Sequence, residues 1–453
     1  MVNIYIKKTI EKKLAVSNVR NQQEFKQTEI GRLPKEWEVK KVSELFDVET
    51  GTTPSTKQKE YWNEGNINWI TPSDMSKLNG RIYIQDSGRK ITERGLKGSN
   101  LTLLPPGAIV VSSRAPVGYI AVTERETTFN QGCKGLIPKN VNKICSEYYA
   151  YYFLNKTIEL ENLSGGSTFK ELSKERLENF CLPVPFLHEQ KKIAEIISTV
   201  DQGIEKVDEA VRKTQRLKKG LMQELLTKGI GHKEFKDTEI GRIPKEWEFT
   251  QLMELAEINR DSIDPARKSP NDKFLYIDID SVENGTGVIS NAKEIIGKDA
   301  PSRARRLIHY NDVLMSTVRP YLKAFAIVPE KFHNQICSTG FAVLTCKEKA
   351  LPLYLLHTLF TGSFIDQCKK MMVGGQYPAL NTSQVEKIKI PIPPISEQRK
   401  IAEILSTVDK RLESLRNRKE KLERIKKGLM EDLLTGRKRV TSLISEEDFH
   451  EKA

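Results

Sequence analysis

The sequence is short of the residues that build metal centres and disulfide frameworks. Its 453 residues include six cysteines and six histidines. Cys133, Cys145, Cys181, Cys337, Cys346 and Cys368 form no CxxC pair, and the histidines lie far apart. Neither a zinc site nor a disulfide framework is therefore suggested, and reduced, mostly buried thiols are expected. Long apolar runs are also missing. LTLLPPGAIVV at 101–111 and LPLYLLHTLF at 351–360 fall short of the ~20 residues that span a bilayer. The start, MVNIYIKKTIEKKLAV, is dotted with lysine and lacks the apolar core and small-residue cleavage site of a secretory signal. We therefore expect a cytoplasmic protein with no membrane partner.

Catalytic signatures are equally scarce. No GxxxxGK[ST] loop is present, and the Gly-Gly-Ser-Thr run at 165–168 has the wrong spacing for one. The Asn-Pro-Pro-aromatic loop of an amino-methyltransferase does not occur, nor does its Gly-rich cofactor turn. No histidine sits in a GxSxG or HExxH context. The chain reads as a non-enzyme that binds no cofactor of its own.

What the sequence has in excess is positive charge. Lys and Arg number 73 against 60 Asp and Glu, a formal net charge of +13, with a pI near 9.2. That balance suits a densely anionic partner, and nucleic acid is the leading candidate, although ribosome-associated and membrane-surface proteins share the same bias. The length implies two or three compact units.

The chain also contains itself twice. EFKQTEIGRLPKEWE at 24–38 recurs as EFKDTEIGRIPKEWE at 234–248. EQKKIAEIISTVD at 189–201 recurs as EQRKIAEILSTVD at 397–409, and KKGLMQELLT at 218–227 as KKGLMEDLLT at 426–435. Between these blocks the halves diverge. Each half is thus an entrance motif, a variable stretch and a helical block. Ile193, Ile197, Val200, Ile204, Val207 and Val211 follow a 4-3-4-3-4 spacing, repeated by Ile401, Leu405, Val408, Leu412 and Leu415, which is the seam of supercoiled helices. Prolines in LPVPFLHEQ at 182–190 and IPIPPISEQ at 390–398 mark where each helix begins. Antiparallel pairing of two such helices would relate the halves by a pseudo-two-fold axis, so that one chain imitates a dimeric DNA reader.

The resulting expectation is a mixed α/β (α+β) fold with two globular recognition domains joined by two long antiparallel coiled-coil helices. The segments are an N-terminal arm at 1–23, recognition domains at 24–188 and 234–395, helical spacers at 189–229 and 396–436, and a tail at 437–453. Trp37 and Trp247, repeated within PKEWE, are expected to be buried anchors. The spacers read as a ruler, so that residues inserted near Leu225 should lengthen the gap between two half-sites.

In the variable segments, candidate DNA contacts lie on polar loops. The first half offers Thr52, Thr53, Ser55 and Lys57, then Ser113 with Arg114, then Lys170 beside a Gly-Gly loop. The second offers Arg303 and Arg305, Arg319 and Lys323, and Gln376 with Tyr377. Arginine suits guanine edges, and hydroxyls and lysines suit phosphates. Lys218, Lys219, Lys426 and Lys427 are expected on exposed helix faces as partner contacts. A coiled-coil scaffold joining protein- or RNA-binding modules is the alternative reading, and a nuclease with an unrecognised site a third.

The plan as a whole resembles the specificity subunit of Type I restriction-modification systems. The resemblance rests on PVPFLHEQKKIAEIISTVD and PIPPISEQRKIAEILSTVD, on the paired entrances IGRLPKEWE and IGRIPKEWE, and on NINWITPSDM at 66–75 and STGFAVL at 338–344. It implies a partner-dependent protein: two adenine methyltransferase subunits and, in the full complex, restriction motor subunits. S-adenosylmethionine, ATP and magnesium would be used by those partners. The arm at 1–23 carries no clear copy of the central helical block in front of the first entrance motif, a departure from the family plan.

Overall fold

The computed structural model describes residues 24–165, 171–372 and 378–444. They fall into two compact units, one made of the described residues up to Val207 and from Arg418 onward, the other of those in Asp208–Asn417. The helices expected to form separate spacers are thus shared out, part of each belonging to each unit.

The entrance motif folds the same way in both. In the first unit Phe25–Thr28 pairs with Gly31–Pro34, and in the second Phe235–Thr238 pairs with Gly241–Pro244. Each two-residue turn ends on a glycine at positive φ, 108° at Gly31 and 113° at Gly241, a conformation that side chains with a Cβ resist. Glu38–Lys41 then pairs with Cys181–Val184, and Glu248–Gln251 with Lys389–Ile392. The strand that enters each half is therefore bonded to the strand that leaves it, just before a long helix.

Between these closures each unit holds a mainly antiparallel sheet. In the first the order is Phe46–Thr50, Cys133–Pro138, Ile109–Ser112, Ile120–Thr123 and Tyr83–Ile84. In the second it is Ala256–Ile258, Phe341–Cys346, Val313–Ser316 and Phe325–Ile327. Near-continuous β-branched runs such as Ile109–Ser112 are buried on both faces. One face packs on the helix Ser146–Asn155, with Tyr148, Tyr149, Tyr151 and Tyr152 all buried, and the other on a cluster around Ile70, Leu104 and Phe129.

The long helices are Leu187–Leu225 and Ile395–Leu433, 39 residues each, or about 58 Å at 1.5 Å per residue. Within the first unit they run antiparallel, since Asp201 meets Lys426 while Gly203 lies against Leu422. Within the second unit Lys218 meets Asp409, and Leu221, Leu225 and Leu226 pack with Ile401 and Leu405. The seam reading holds for Ile193, Ile197, Val200, Ile204 and Val207 and for Ile401, Leu405, Leu412 and Leu415, all buried. Val211 and Val408 are only half-buried.

Trp37 and Trp247 are buried, as their repeated placement implied. Each indole Nε1 donates to a carboxylate on the first turn of a long helix, Trp37 to Glu189 and Trp247 to Glu397, both at 3.0 Å. Each neighbouring glutamine stitches the chain together. Gln190 accepts from the Cys145 amide and donates to the Lys143 and Pro185 carbonyls, and Gln398 does the same with Leu351, Lys349 and Pro393.

Candidate nucleic-acid interface

Strand register decides which loops share a surface. In the first unit Lys134 lies opposite Thr50 and Cys133 opposite Ser112. The loops that follow Thr50, precede Cys133 and follow Ser112 therefore leave one end of the sheet together. Hydrogen bonds tie them: Gly51 N donates to Cys133 O at 3.2 Å, Thr52 N to Phe129 O at 3.1 Å, Ser113 N to Gly132 O at 2.7 Å and Leu172 N to Ser113 O at 2.8 Å. Gly51 is indispensable here, because a Cβ on it would lie 2.0 Å from the Asn130 carbonyl oxygen.

The second unit repeats the arrangement with other side chains. Ser316 lies opposite Phe341, and Ile258 opposite Leu344. Thr317 N donates to Gly340 O at 2.8 Å, Leu380 N to Thr317 O at 2.9 Å, and Thr339 N to Arg303 O at 2.9 Å. Arg303 and Arg319, far apart in sequence, are thereby brought to one end of the sheet. The loop after Ile258 is held by Asp261, which lies 2.9 Å from His309 Nε2 and also accepts from Arg260.

The sequence-derived candidates divide on this geometry. Thr52, Ser55, Lys57 and Arg303 are exposed and Thr53 half-buried on the loop clusters. Arg114 is exposed, yet its Nε donates to Glu171 at 3.1 Å, and Glu171 also neighbours the buried Lys134 at 3.8 Å. Burial holds the Lys134 ammonium below the usual lysine range, partly offset by Glu171. Arg305 is half-buried beside Asp264 at 3.4 Å. Arg319 sits in the left-handed region, φ 47°, its amide bonded to Pro378 O. Lys170, Gln376 and Tyr377 lie outside the described residues.

Three expectations are corrected. Ser113 is completely buried at the strand end, its amide and carbonyl engaged on both sides, so its hydroxyl does not face solvent. Lys323 is turned inward: its Nζ donates to the Phe360 carbonyl at 2.9 Å, and burial, then Lys369 and Lys219, hold it below the usual lysine range. Lys218 and Lys426 are not on exposed faces. Lys426 Nζ lies 2.6 Å from Asp201, and Lys218 Nζ 2.6 Å from Asp409, inside the seam. Both carboxylates occupy seam-flanking positions, so the lysine stems reach across the helix pair. Lys219 and Lys427, one residue further round, are exposed.

Sequence reading missed the tryptophans that hold the first unit's loop. Trp69 Nε1 donates to Thr52 O at 3.0 Å, and Trp62 Nε1 to Ser55 O at 3.1 Å. It also missed Glu189 and Glu397, although their repetition in LHEQ and ISEQ was a usable signal. Among the described residues no group of His, Cys, Asp and Glu could hold a metal ion, and no helix is long and apolar enough to cross a membrane.

Comparisons with known proteins bear on the family and the fold. The type I restriction enzyme MjaIX specificity subunit of Methanocaldococcus jannaschii is 32% identical over 437 residues, covering 93% of this chain and 98% of the relative. The putative type I restriction enzyme MjaX specificity subunit of the same organism is 30% identical, covering 92% and 97%. The solved S subunit of a Type-I restriction-modification system from M. genitalium shares the fold at a TM-score of 0.54 and 14% identity, covering 88% of this chain and 96% of that one. The family described as Type I restriction modification DNA specificity domain matches twice, at residues 34–211 and 244–424. With one such domain in each half, this chain belongs to the Type I restriction-modification DNA specificity family.

Proposed function

We propose that the chain is the sequence-reading subunit of a Type I restriction-modification complex, with each unit reading one half of a bipartite duplex target. One observation carries the reading. The same backbone corner is built twice at the end of a sheet, and the side chains placed on it differ: Arg114 and the hydroxyl loop 52–57 in one unit, Arg303 and Arg319 in the other. A shared frame with unlike polar residues is what two half-sites of different sequence require.

Surface repetition supports two copies of one partner. Buried repeats are explained by packing, while Arg32 and Arg242 repeat a contact with Phe25 and Phe235, and Lys35 and Lys245 one with Glu24 and Glu234. Lys219 and Lys427, however, are exposed and identical in halves that otherwise diverge. An adenine methyltransferase subunit docking on each half accounts for them. Catalysis then belongs to partners, which would use S-adenosylmethionine, ATP and magnesium, with restriction motor subunits joining in the cytoplasm. The test is to co-express the chain with its methyltransferase and map methylated adenines, then exchange residues 46–172 for those of a relative. A bipartite motif in which one half changes is the expected result. Salt-sensitive, sequence-blind binding would overturn the reading in favour of a scaffold.

A further inference from the structure

The first unit contains an arginine that the loop candidates do not include. Arg89 is exposed, and its guanidinium lies 3.7 Å over the Trp62 ring and 5.2 Å from the Trp69 ring. The two indoles meet edge to face, 5.0 Å apart at 86°. Stacking occupies the face of a guanidinium and leaves its in-plane N–H groups available. Those groups find no acceptor among the described residues. By contrast, Arg81, Arg94 and Arg114 each have a carboxylate partner, Glu205, Glu60 and Glu171 respectively.

The position of Arg89 is fixed from both sides. Its carbonyl accepts from Trp69 N at 3.2 Å and from Ser87 Oγ at 2.6 Å. The turn before it is pinned by Gly88 N donating to Asp74 at 2.9 Å and by Asn68 Nδ2 donating to Gln85 O at 2.9 Å. The indoles beneath the guanidinium are the ones that hold the carbonyls of Thr52 and Ser55. One platform thus orders both the arginine and the hydroxyl loop. A preorganised fork loses little side-chain freedom on binding, which is what distinguishes a reader from a solvated surface arginine.

We propose that Arg89, stacked on Trp62 and Trp69, is a DNA contact of the first unit, its free N–H edge directed at a guanine edge or a phosphate of the duplex. This rests on the reading that the 52–57 loop faces DNA. Among the described residues no arginine is stacked on two indoles in the second unit's corner, so the contact should act on one half-site alone.

The test uses the full chain with its methyltransferase partner and a pool of randomised duplexes, with Arg89→Ala, Arg89→Lys, Trp62→Ala and Lys57→Ala compared. For a guanine contact, Arg89→Ala and Arg89→Lys should both relax preference at one or two base pairs of one half-site by roughly tenfold, leaving the other half-site unchanged. For a phosphate contact, Arg89→Ala should weaken binding to all sequences and reduce the salt dependence by about one released counterion, with Arg89→Lys largely rescuing it. Trp62→Ala, which removes the stack but keeps the arginine, should reproduce part of either loss. Because Arg89 is exposed, its substitution should leave the first unit folded, with at most a small drop in the thermal midpoint from the lost stack. Normal affinity, salt slope and preference in both Arg89 variants would overturn the proposal. If Lys57→Ala still alters the first half-site in that case, only the Arg89 assignment fails; if Lys57→Ala is silent too, the loop reading fails with it.

Discussion

Glu189 is fully buried, and its charge is met by Arg439, whose Nε and Nη2 lie 2.6 and 3.0 Å from its two oxygens, and by the indole of Trp37. A buried carboxylate stripped of its cation costs far more than the pair contributes, so Arg439→Met should destabilise the first unit by ~3–5 kcal/mol in chemical unfolding. The second unit answers the same need differently. Glu397 takes the Ile230 amide and His232 Nε2 at 3.0 Å, and retains some exposure. A second substitution between halves is more consequential. Tyr151 donates to Asp201 at 2.8 Å in the first unit, whereas His357 lies 3.8 Å from the equivalent Asp409, too far for a hydrogen bond, and neither of its ring nitrogens is satisfied. Burial, then Lys218, push the His357 imidazole down to about 3 from an ordinary 6.5. The folded protein therefore holds this ring neutral while the unfolded chain protonates it. Stability from this site is complete above about pH 6.5 and is lost as pH falls toward about 3. Unfolding measured across that window should show His357→Phe with a shallower loss than the parent. An equal slope in both would mean that the ring is not the acid-sensitive group.

Among the elements, the long helices were the most legible in sequence, since a repeated 3.5-residue spacing and proline-marked starts specify both. Their bounds, Leu187–Leu225 and Ile395–Leu433, lie close to the expected ones. What spacing left open was the side of the helix on which a lysine ends up. Lys426 and Lys427 are neighbours, yet the first reaches Asp201 and the Gly80 carbonyl, both at 2.6 Å, while the second is exposed. Lys426→Glu should therefore place two carboxylates together and lower stability by ~3 kcal/mol or more. Pairing it with Asp201→Lys should recover much of that loss. Lys427→Glu should leave thermal unfolding within ~0.5 kcal/mol of the parent and, if the exposed repeats dock the methyltransferase, weaken co-purification. The corners at the sheet ends were only half legible. Polar loops announce themselves by composition, but Ser113 and Lys323 look like surface residues in sequence and are turned inward by backbone bonds and by the Phe360 carbonyl.

At the scale of the whole molecule, the two units differ in their corners and share their frame, so damage should be confined to halves. Arg319→Ala should relax recognition in one half-site by roughly 1–3 kcal/mol if its contact is to a base, and a uniform loss across sequences would mark a backbone contact instead. The helices also invite a test of length. Leu225 packs against the helix around Ile401 and Leu405, so an insertion there would disturb a core. Four residues placed after both Val207 and Asn417, where the compact units divide, would add about 6 Å to each helix. Mapping of methylated adenines should then show a gap longer by about one to two base pairs with unchanged half-site bases. An unchanged gap would refute the ruler.

The sequence by itself determined the duplication, the helices, the buried tryptophans and the family, because each is written in repetition or periodicity along one dimension. Tertiary structure decided which residues meet. Strand register gathered loops 51–58, 113–118 and 130–132 at one sheet end, two indoles ordered Arg89, and the antiparallel helix pair hid Lys218 and Lys426 while leaving their neighbours in water. Such contacts join positions tens to hundreds of residues apart, and their energy depends on burial and geometry that no local pattern encodes.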